Sequence, residues 1–396
     1  VLTEATDSPP TTKSFSQTGQ VITIAAAHAA HDLYISFLPA LIPVLIAKLS
    51  IPTAQAGTLT LFLQWPSLLQ PLIGYLADRV SLRYLVIMAP AITAVFMSLL
   101  GLAPSYAVMA LMLIVVGLSA ASLHAVAPVI AGRLSGRRLG RGMGFWSVGG
   151  ELGYTVGPIA VVTAIRYLGL GGVAWLMLVG VMASVVLFVR LHDMPDQRRD
   201  TIGPLPWREA LRSMSTTMRP ILGIVILRAF IMAALVTYLP TFLTREGTDL
   251  WFAGTSLSIL QLGSMAGAWL SGLWSDRWGR RTVLWISLIL TAVLMAVFLL
   301  STLQAARLVC LLLLGFSSSG TFPVLLALVQ ENFPSNQALA NGIFMAMSFA
   351  MESLAVISMG LAGDLVGLRT AYIGSVAAPL LCLPLVAQLP AERRRG

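Results

Sequence analysis

From Tyr84 to Leu123 the chain carries no Asp, Glu, Lys, Arg or His, and the run is broken only at the turn-like Gly101-Leu102-Ala103-Pro104-Ser105. A membrane-spanning helix needs about 20 mostly apolar residues, so this stretch reads as two helices joined by a tight turn. Charge-free runs of similar length recur from end to end. They predict helices near 20–47, 54–77, 84–103, 106–132, 142–165, 171–190, 220–243, 252–274, 282–302, 305–330, 336–360 and 369–390. With 57% hydrophobic and only 10% charged residues, against about 25% charged in a soluble domain, a water-facing surface could hardly be built. The chain is therefore an all-α integral membrane protein.

The net charge of +9 does not indicate nucleic acid, because the Lys and Arg residues fall in short clusters between apolar runs and not on one solvated face. Their placement follows topology. If the N-terminus is cytoplasmic, nineteen of the 25 basic residues lie on the cytoplasmic side, and the positive-inside rule sets both termini there. Residues 1–19 are polar, rich in Ser, Thr and Pro, and without the layout of a signal peptide. They are expected to form a disordered cytoplasmic tail, followed by a six-helix bundle over 20–190. A cytoplasmic linker over 191–219, with "PWREALRSM" as a short interfacial helix, leads to a second bundle over 220–390 and a cytoplasmic tail over 391–396. Cys310 and Cys382 sit inside apolar segments and read as small buried hydrophobes.

Two loops repeat one another, "GYLADRVSLR" at 74–83 and "GLWSDRWGRR" at 272–281, each after the second helix of its half. Glycine lets helix ends approach, Asp can sit at a neighbouring helix N-terminus, and the Arg residues face the inner leaflet. With these loops the sequence resembles the major facilitator superfamily over essentially its whole length. The resemblance implies twelve helices in two six-helix bundles and a secondary active transporter with no enzymatic activity. It assigns conformational gating to Gly74, Asp78, Arg79 and Arg83, and to Gly272, Asp276, Arg277, Arg280 and Arg281. In the first copy Ser81 and Leu82 depart from the pattern.

"GELGYTVGP" at 150–158 contains Gly153-x-x-x-Gly157-Pro158, which looks like the motif of proton-coupled antiporters in this superfamily; its small residues allow close helix crossing, Pro158 bends the helix, and the three join the expected conformational-gating residues. Several segments together also resemble the fosmidomycin-resistance branch of drug exporters: His28-x-x-x-Asp32, "LLQPLIGYLADR", His124, "VGGELGYTVGP" and Gln330-Glu331-x-x-Pro334. Val126 stands where that branch carries an acid, and the superfamily's helix-4 Arg signature is missing. Substrate identity is therefore not carried over.

The sharpest signal is the set of ionisable groups inside apolar helices, since charge at such depth is costly and marks function by default. His28 and Asp32 are i and i+4, on one helical face, and His31 borders it. Together with Glu151 they are the expected proton-coupling residues. Arg228 must pair with an acid or an anionic substrate. It heads the expected substrate-binding set, with His124, Tyr34, Tyr154, Tyr238, Trp146, Gln64, Gln261 and Glu352. No metal is expected, since His28, His31, Asp32 and His124 show no recognised ligand spacing. Nor is a cofactor: there is no G-x-x-x-x-G-K-S/T and hence no visible ATPase engine.

The expected partners are a small-molecule substrate, protons and a lipid bilayer, with the chain acting as a monomer. The expected function is proton-coupled antiport that exports a drug or metabolite from the cytoplasm of a bacterial cell across its inner membrane. An importer or uniporter for a small anionic or zwitterionic solute is the alternative. A metallophore exporter and a non-transporting receptor stand further off.

Overall fold

The computed structural model describes residues 12–50, 59–191, 205–248 and 250–390. All regular structure there is helical, arranged as twelve rods. In the first half, α1 is Thr12–Ile35, continued past Ser36 by Phe37–Leu49, and α2 is Leu59–Gln64 and Gln70–Ala77 joined by the tight turn Trp65–Leu69. Then come α3 (Arg83–Leu99), α4 (Tyr106–Ser135), α5 (Leu139–Gly172) and α6 (Met177–Leu191). The second half has α7 (Trp207–Met232, continued through Ala233–Thr237 to Leu239–Arg245), α8 (Leu250–Trp278) and α9 (Arg280–Leu300). It ends with α10 (Gln304–Ser319 and Thr321–Asn332), α11 (Gln337–Ala362) and α12 (Leu368–Gln388).

Eight helical stretches among the described residues are long and apolar enough to cross a membrane, and one of them, Tyr106–Val161, contains both α4 and the start of α5. The first, second and eighth rods fall outside that set, being interrupted or diluted by Ser, Gly and Gln. Breaks occur where the backbone demands them. Gly169 (φ 72°) interrupts α5 near its end, Gly279 (φ 95°) separates α8 from α9, and Ser105 caps α4 by accepting from the Val108 N–H. Each of these glycines adopts a conformation that a side chain disfavours.

Two expectations at the bundle edges need correction. Residues 12–19 continue α1 and are not part of a separate tail; residues 1–11, most of the 191–219 linker and the tail beyond 390 lie outside the described residues. "PWREALRSM" is not a separate interfacial helix either, because Trp207 begins α7 itself. Ala210 and Met214 of this segment and Met218 one turn beyond it are buried within the protein, while Leu211 is exposed. An i, i+4, i+8 stripe suits a lipid interface and a protein groove equally, and here the groove takes it.

Three hydrophobic cores organise the rods. One is built from both halves, joining α1, α3, α4, α5 and α6 to α7, α9, α10, α11 and α12. The other two belong to the first half alone and to the second half alone. The halves therefore share a core at one end, which carries the repeated loops, and diverge at the other. Toward the divergent end Tyr154, Glu352 and Ile357 are exposed on the facing helices.

Candidate functional site: a sealed gate and a buried imidazole–carboxylate cluster

At the shared end, the two halves cross at two glycine contacts related by the internal repeat. Between α2 and α11, Gly74 lies against the Ala338 carbonyl and Gly342 against the Gln70 carbonyl; between α5 and α8, Gly140 and Gly272 lie against each other's carbonyls. In each case a β-carbon would strike backbone. The repeated carboxylates complete both crossings. Asp78 accepts from the Ala338 and Leu339 N–H groups, each at 2.9 Å, and Asp276 accepts from those of Gly140 and Arg141, each at 2.8 Å. These donors belong to the first turns of α11 and α5, where N–H groups have no helical partner and the helix dipole favours negative charge.

The copies differ where the sequence departs from its pattern. Arg280 donates to Asp276 and to Glu331, both at 2.8 Å. Leu82 occupies the equivalent place in the first copy, and Asp78 has instead the Arg133 guanidinium at 4.0 Å. Burial pushes the Asp78 carboxyl up to about 6, against the lowering effect of the Leu339 and Ala338 N–H groups, Arg133 and Arg79. Among the other residues expected to gate, Arg79 lies over the Tyr75 ring at 3.5 Å and donates to the Leu205 carbonyl, and Arg83 lies 5.4 Å from the Tyr84 ring. Arg277 is exposed and Arg281 half-buried.

Midway along the first half, α1, α4 and α5 bring together groups far apart in sequence. Asp32 is buried, with His28 Nε2 2.9 Å from Oδ2, His31 Nδ1 2.8 Å from Oδ1 and His124 Nε2 3.7 Å from Oδ1. His28 and His124 meet at 3.2 Å between their Nε2 atoms. Trp146 stacks on His28 at 3.6 Å between centroids, nearly parallel. The α5 segment that faces the cluster is "VGGELGYTVG". Gly149 and Gly153 rest on α1 carbonyls, Gly150 faces the His28 ring, and Gly157 faces Leu33 and Ser36. Without β-carbons at these positions, α5 reaches α1 closely enough to enclose Asp32. Pro158 follows on the same helix.

Three of the expected substrate-binding residues sit elsewhere than a binding surface. Tyr34 is fully enclosed within the first half, its hydroxyl donating to the Leu176 carbonyl and accepting from the Gly180 N–H. Trp146 and His124 belong to the buried cluster. A period of 3.6 places Tyr34 on α1 near Asp32 but cannot say which neighbour covers it, and α6 does.

The remaining charges lie on the walls of the cleft. Arg228 on α7 donates through Nε to Thr321 at 3.2 Å and sits 5.3 Å from the Phe322 ring centroid. Among the described residues no carboxylate comes within ion-pair distance of it, while Glu151 and Glu352 lie within electrostatic reach. Tyr154 is exposed one turn from Glu151. Gln64 accepts from Ser353 at 3.2 Å, Tyr238 donates to the Val356 carbonyl at 2.9 Å, and Gln261 is half-buried on α8.

Sequence reading missed Asn341, whose side chain crosses from α11 to donate to the carbonyls of His124 and Ala125. A lone Asn in the apolar run "ALANGIFMAM" was the available signal. The donor atoms of His28, Asp32 and His124 lie within 4.8 Å of one another, so their spacing alone would admit a cation. Three protein donors leave a zinc ion one ligand short of a closed tetrahedron.

A twelve-rod helical membrane fold, two halves related by repeated loops and a sealed end beneath a cleft together define a secondary transporter. The chain matches the Major Facilitator Superfamily over residues 24–272 and 252–395, and it belongs to that family. It is thus a multi-pass membrane protein that handles a small-molecule substrate, and not an enzyme. Among curated relatives it is 27% identical over 395 residues to the fosmidomycin resistance protein of Escherichia coli (strain K12), covering 97% of this chain and 96% of that one. A probable 4-methylmuconolactone transporter of Cupriavidus pinatubonensis is 26% identical over 314 residues, 75% of this chain and 72% of that one.

Solved structures share the fold. The E. coli fucose:proton symporter FucP aligns with TM-score 0.75 and 13% identity, over 94% of this chain and 98% of its own. The human organic anion transporter MFSD10 aligns with TM-score 0.74 and 17% identity, over 96% and 100%.

Proposed function

We propose that the protein is a proton-coupled antiporter that exports small organic molecules by alternating access, from the cytoplasm across a bacterial inner membrane, with both termini cytoplasmic and the monomer as the working unit. The observation that carries this reading is the buried Asp32 carboxylate held by three imidazoles beside a cleft lined by Glu151, Arg228 and Glu352. Ionisable groups enclosed at that depth can change protonation as water reaches them from one side and then the other.

With the sealed, loop-bearing end taken as cytoplasmic, the structure is outward-open. In that state the Asp32 cluster or Glu151 takes up a proton and substrate leaves. After reversal the proton departs to the cytoplasm and substrate rebinds at Arg228 and its aromatic surroundings. Transport requires the two states to differ in affinity for each ligand. The signature loops stabilise the outward-open state, and the glycines of α5 keep the cluster on α1.

Fosmidomycin is the first candidate substrate, by similarity to the resistance protein. The likeness to a proton symporter supports only the fold and leaves import as the second reading. The test is fosmidomycin-driven proton movement in oriented vesicles, wild type against Asp32→Asn. Proton flux opposite to drug flux, absent in the variant, is expected. Flux in the same direction would make the protein a symporter, and drug flux without proton movement would make it a uniporter.

A further inference from the structure

Two backbone carbonyls decide where hydrogen can sit in the buried cluster. His28 Nδ1 lies 2.8 Å from the Trp146 carbonyl, and His124 Nδ1 lies 2.8 Å from the Ala120 carbonyl. A carbonyl only accepts, so each Nδ1 carries its hydrogen and each Nε2 of a neutral ring is a bare lone pair. Those two Nε2 atoms face one another at 3.2 Å, with Asp32 Oδ2 2.9 Å from His28 Nε2. Three acceptors converging in a dry site would repel. One hydrogen on either Nε2 converts the contact into a charge-assisted bond.

We propose that His28 and His124 share one proton between their Nε2 atoms, with Asp32 ionised as its counter-ion, and that Asn341 makes retention of that proton depend on the gate being shut. This deepens the proton-coupled reading, on which its role in transport rests.

The link to the gate runs through a proline. Pro128 lies inside α4 and has no N–H, so the His124 carbonyl four residues earlier has no helical donor. Asn341, from the opposite half, donates to it at 2.7 Å and to the Ala125 carbonyl at 2.9 Å. Asn341 is fully buried and lies two residues beyond Leu339, whose N–H is held by Asp78. The gate carboxylate and the donor to His124 thus move with the same turns of α11.

When the sealed end opens, α11 withdraws, the His124 carbonyl loses its donor, and α4 is free to flex at its proline. The 3.2 Å approach of the imidazoles ends. The proton passes from Nε2 to water entering from that side, leaving two neutral imidazoles beside Asp32. The groups facing the pair are His31 and Asp32 on α1 and, from the other half, Phe349, whose ring is 6.0 Å from His124; Glu151 and Tyr154 on α5 lie within electrostatic reach of Asp32.

The chain has four histidines, few enough for nitrogen NMR of histidine-labelled protein without any substrate. Near neutral pH, wild type should show one imidazolium with both nitrogens protonated, lost in His124→Gln. Asn341→Leu should bind that proton about tenfold more weakly, the worth of a hydrogen bond of average strength. Adding Pro128→Ala should restore it, because alanine in place of the proline returns an N–H to the His124 carbonyl.

Two neutral rings in wild-type protein at neutral and mildly acidic pH would overturn the inference. Nitrogen shifts of metal ligation would do the same and assign the cluster to a metal. Unchanged proton binding in Asn341→Leu would remove the link to the gate. An imidazolium without proton-coupled flux in vesicles would leave the shared proton standing and refute the antiport reading instead.

Discussion

Asp276→Asn tests whether helix-capping carboxylates set the balance between the two ends of the transporter. Asp276 accepts three hydrogen bonds at 2.8 Å, from the Gly140 and Arg141 N–H groups and from Arg280. An amide of the same shape keeps one acceptor oxygen and turns an NH₂ group toward a donor. The loss is one hydrogen bond to a charged group, about 1.5–3 kcal/mol, plus the interaction of that charge with the α5 dipole, about 0.3–2 kcal/mol. A total of about 3 kcal/mol corresponds to roughly a 100-fold shift away from the sealed state.

Spin labels at the exposed positions Arg138 and Leu211, one on each half near the sealed end, would read the shift as a second, longer distance in the variant. Glu331→Gln is the control, because it weakens Arg280 without touching the helix cap. If Asp276→Asn leaves the distance distribution unchanged, or if Glu331→Gln shifts it equally, capping of α5 is not what holds this end shut.

Three further outcomes follow from the same geometry. Gly140→Leu and Gly342→Leu should each disfavour the sealed state, since their side chains meet backbone of the opposite half; the same labels should report the open distance. Asp78 has its carboxyl raised from 3.8 to about 6 when sealed, so the sealed state binds the extra proton: its contribution is full below about pH 4 and is lost as pH rises through about 6. Leu82→Arg, which supplies the cation that Arg280 provides in the second copy, should flatten that dependence in the label distances. Arg228→Lys keeps a charge but not the planar group held between Thr321 and Phe322, and should weaken binding of an anionic substrate about tenfold or more in equilibrium binding.

Much of the architecture was legible residue by residue. Apolar runs located the rods, and the repeated loops pointed to Asp78 and Asp276. The glycines of the α5 motif announced a close crossing. The His28/Asp32 pair followed from an i, i+4 spacing, which is a local property of any helix. Less legible were the ends of rods: the Ala210, Met214 and Met218 stripe carries no record of whether lipid or protein covers it.

What sequence could not supply was partnership across distance. Nothing local places His124 beside His28, hides Tyr34 behind α6, or brings Asn341 to the carbonyl that Pro128 leaves bare. Helical periodicity assigns a side chain to a face, and it is satisfied by any neighbour of suitable size. The choice among neighbours is made by glycine-lined crossings that let particular faces approach and by buried polar groups that must find donors and acceptors. Those long-range requirements turn twelve separately readable helices into one sealed crossing and one buried imidazole–carboxylate cluster.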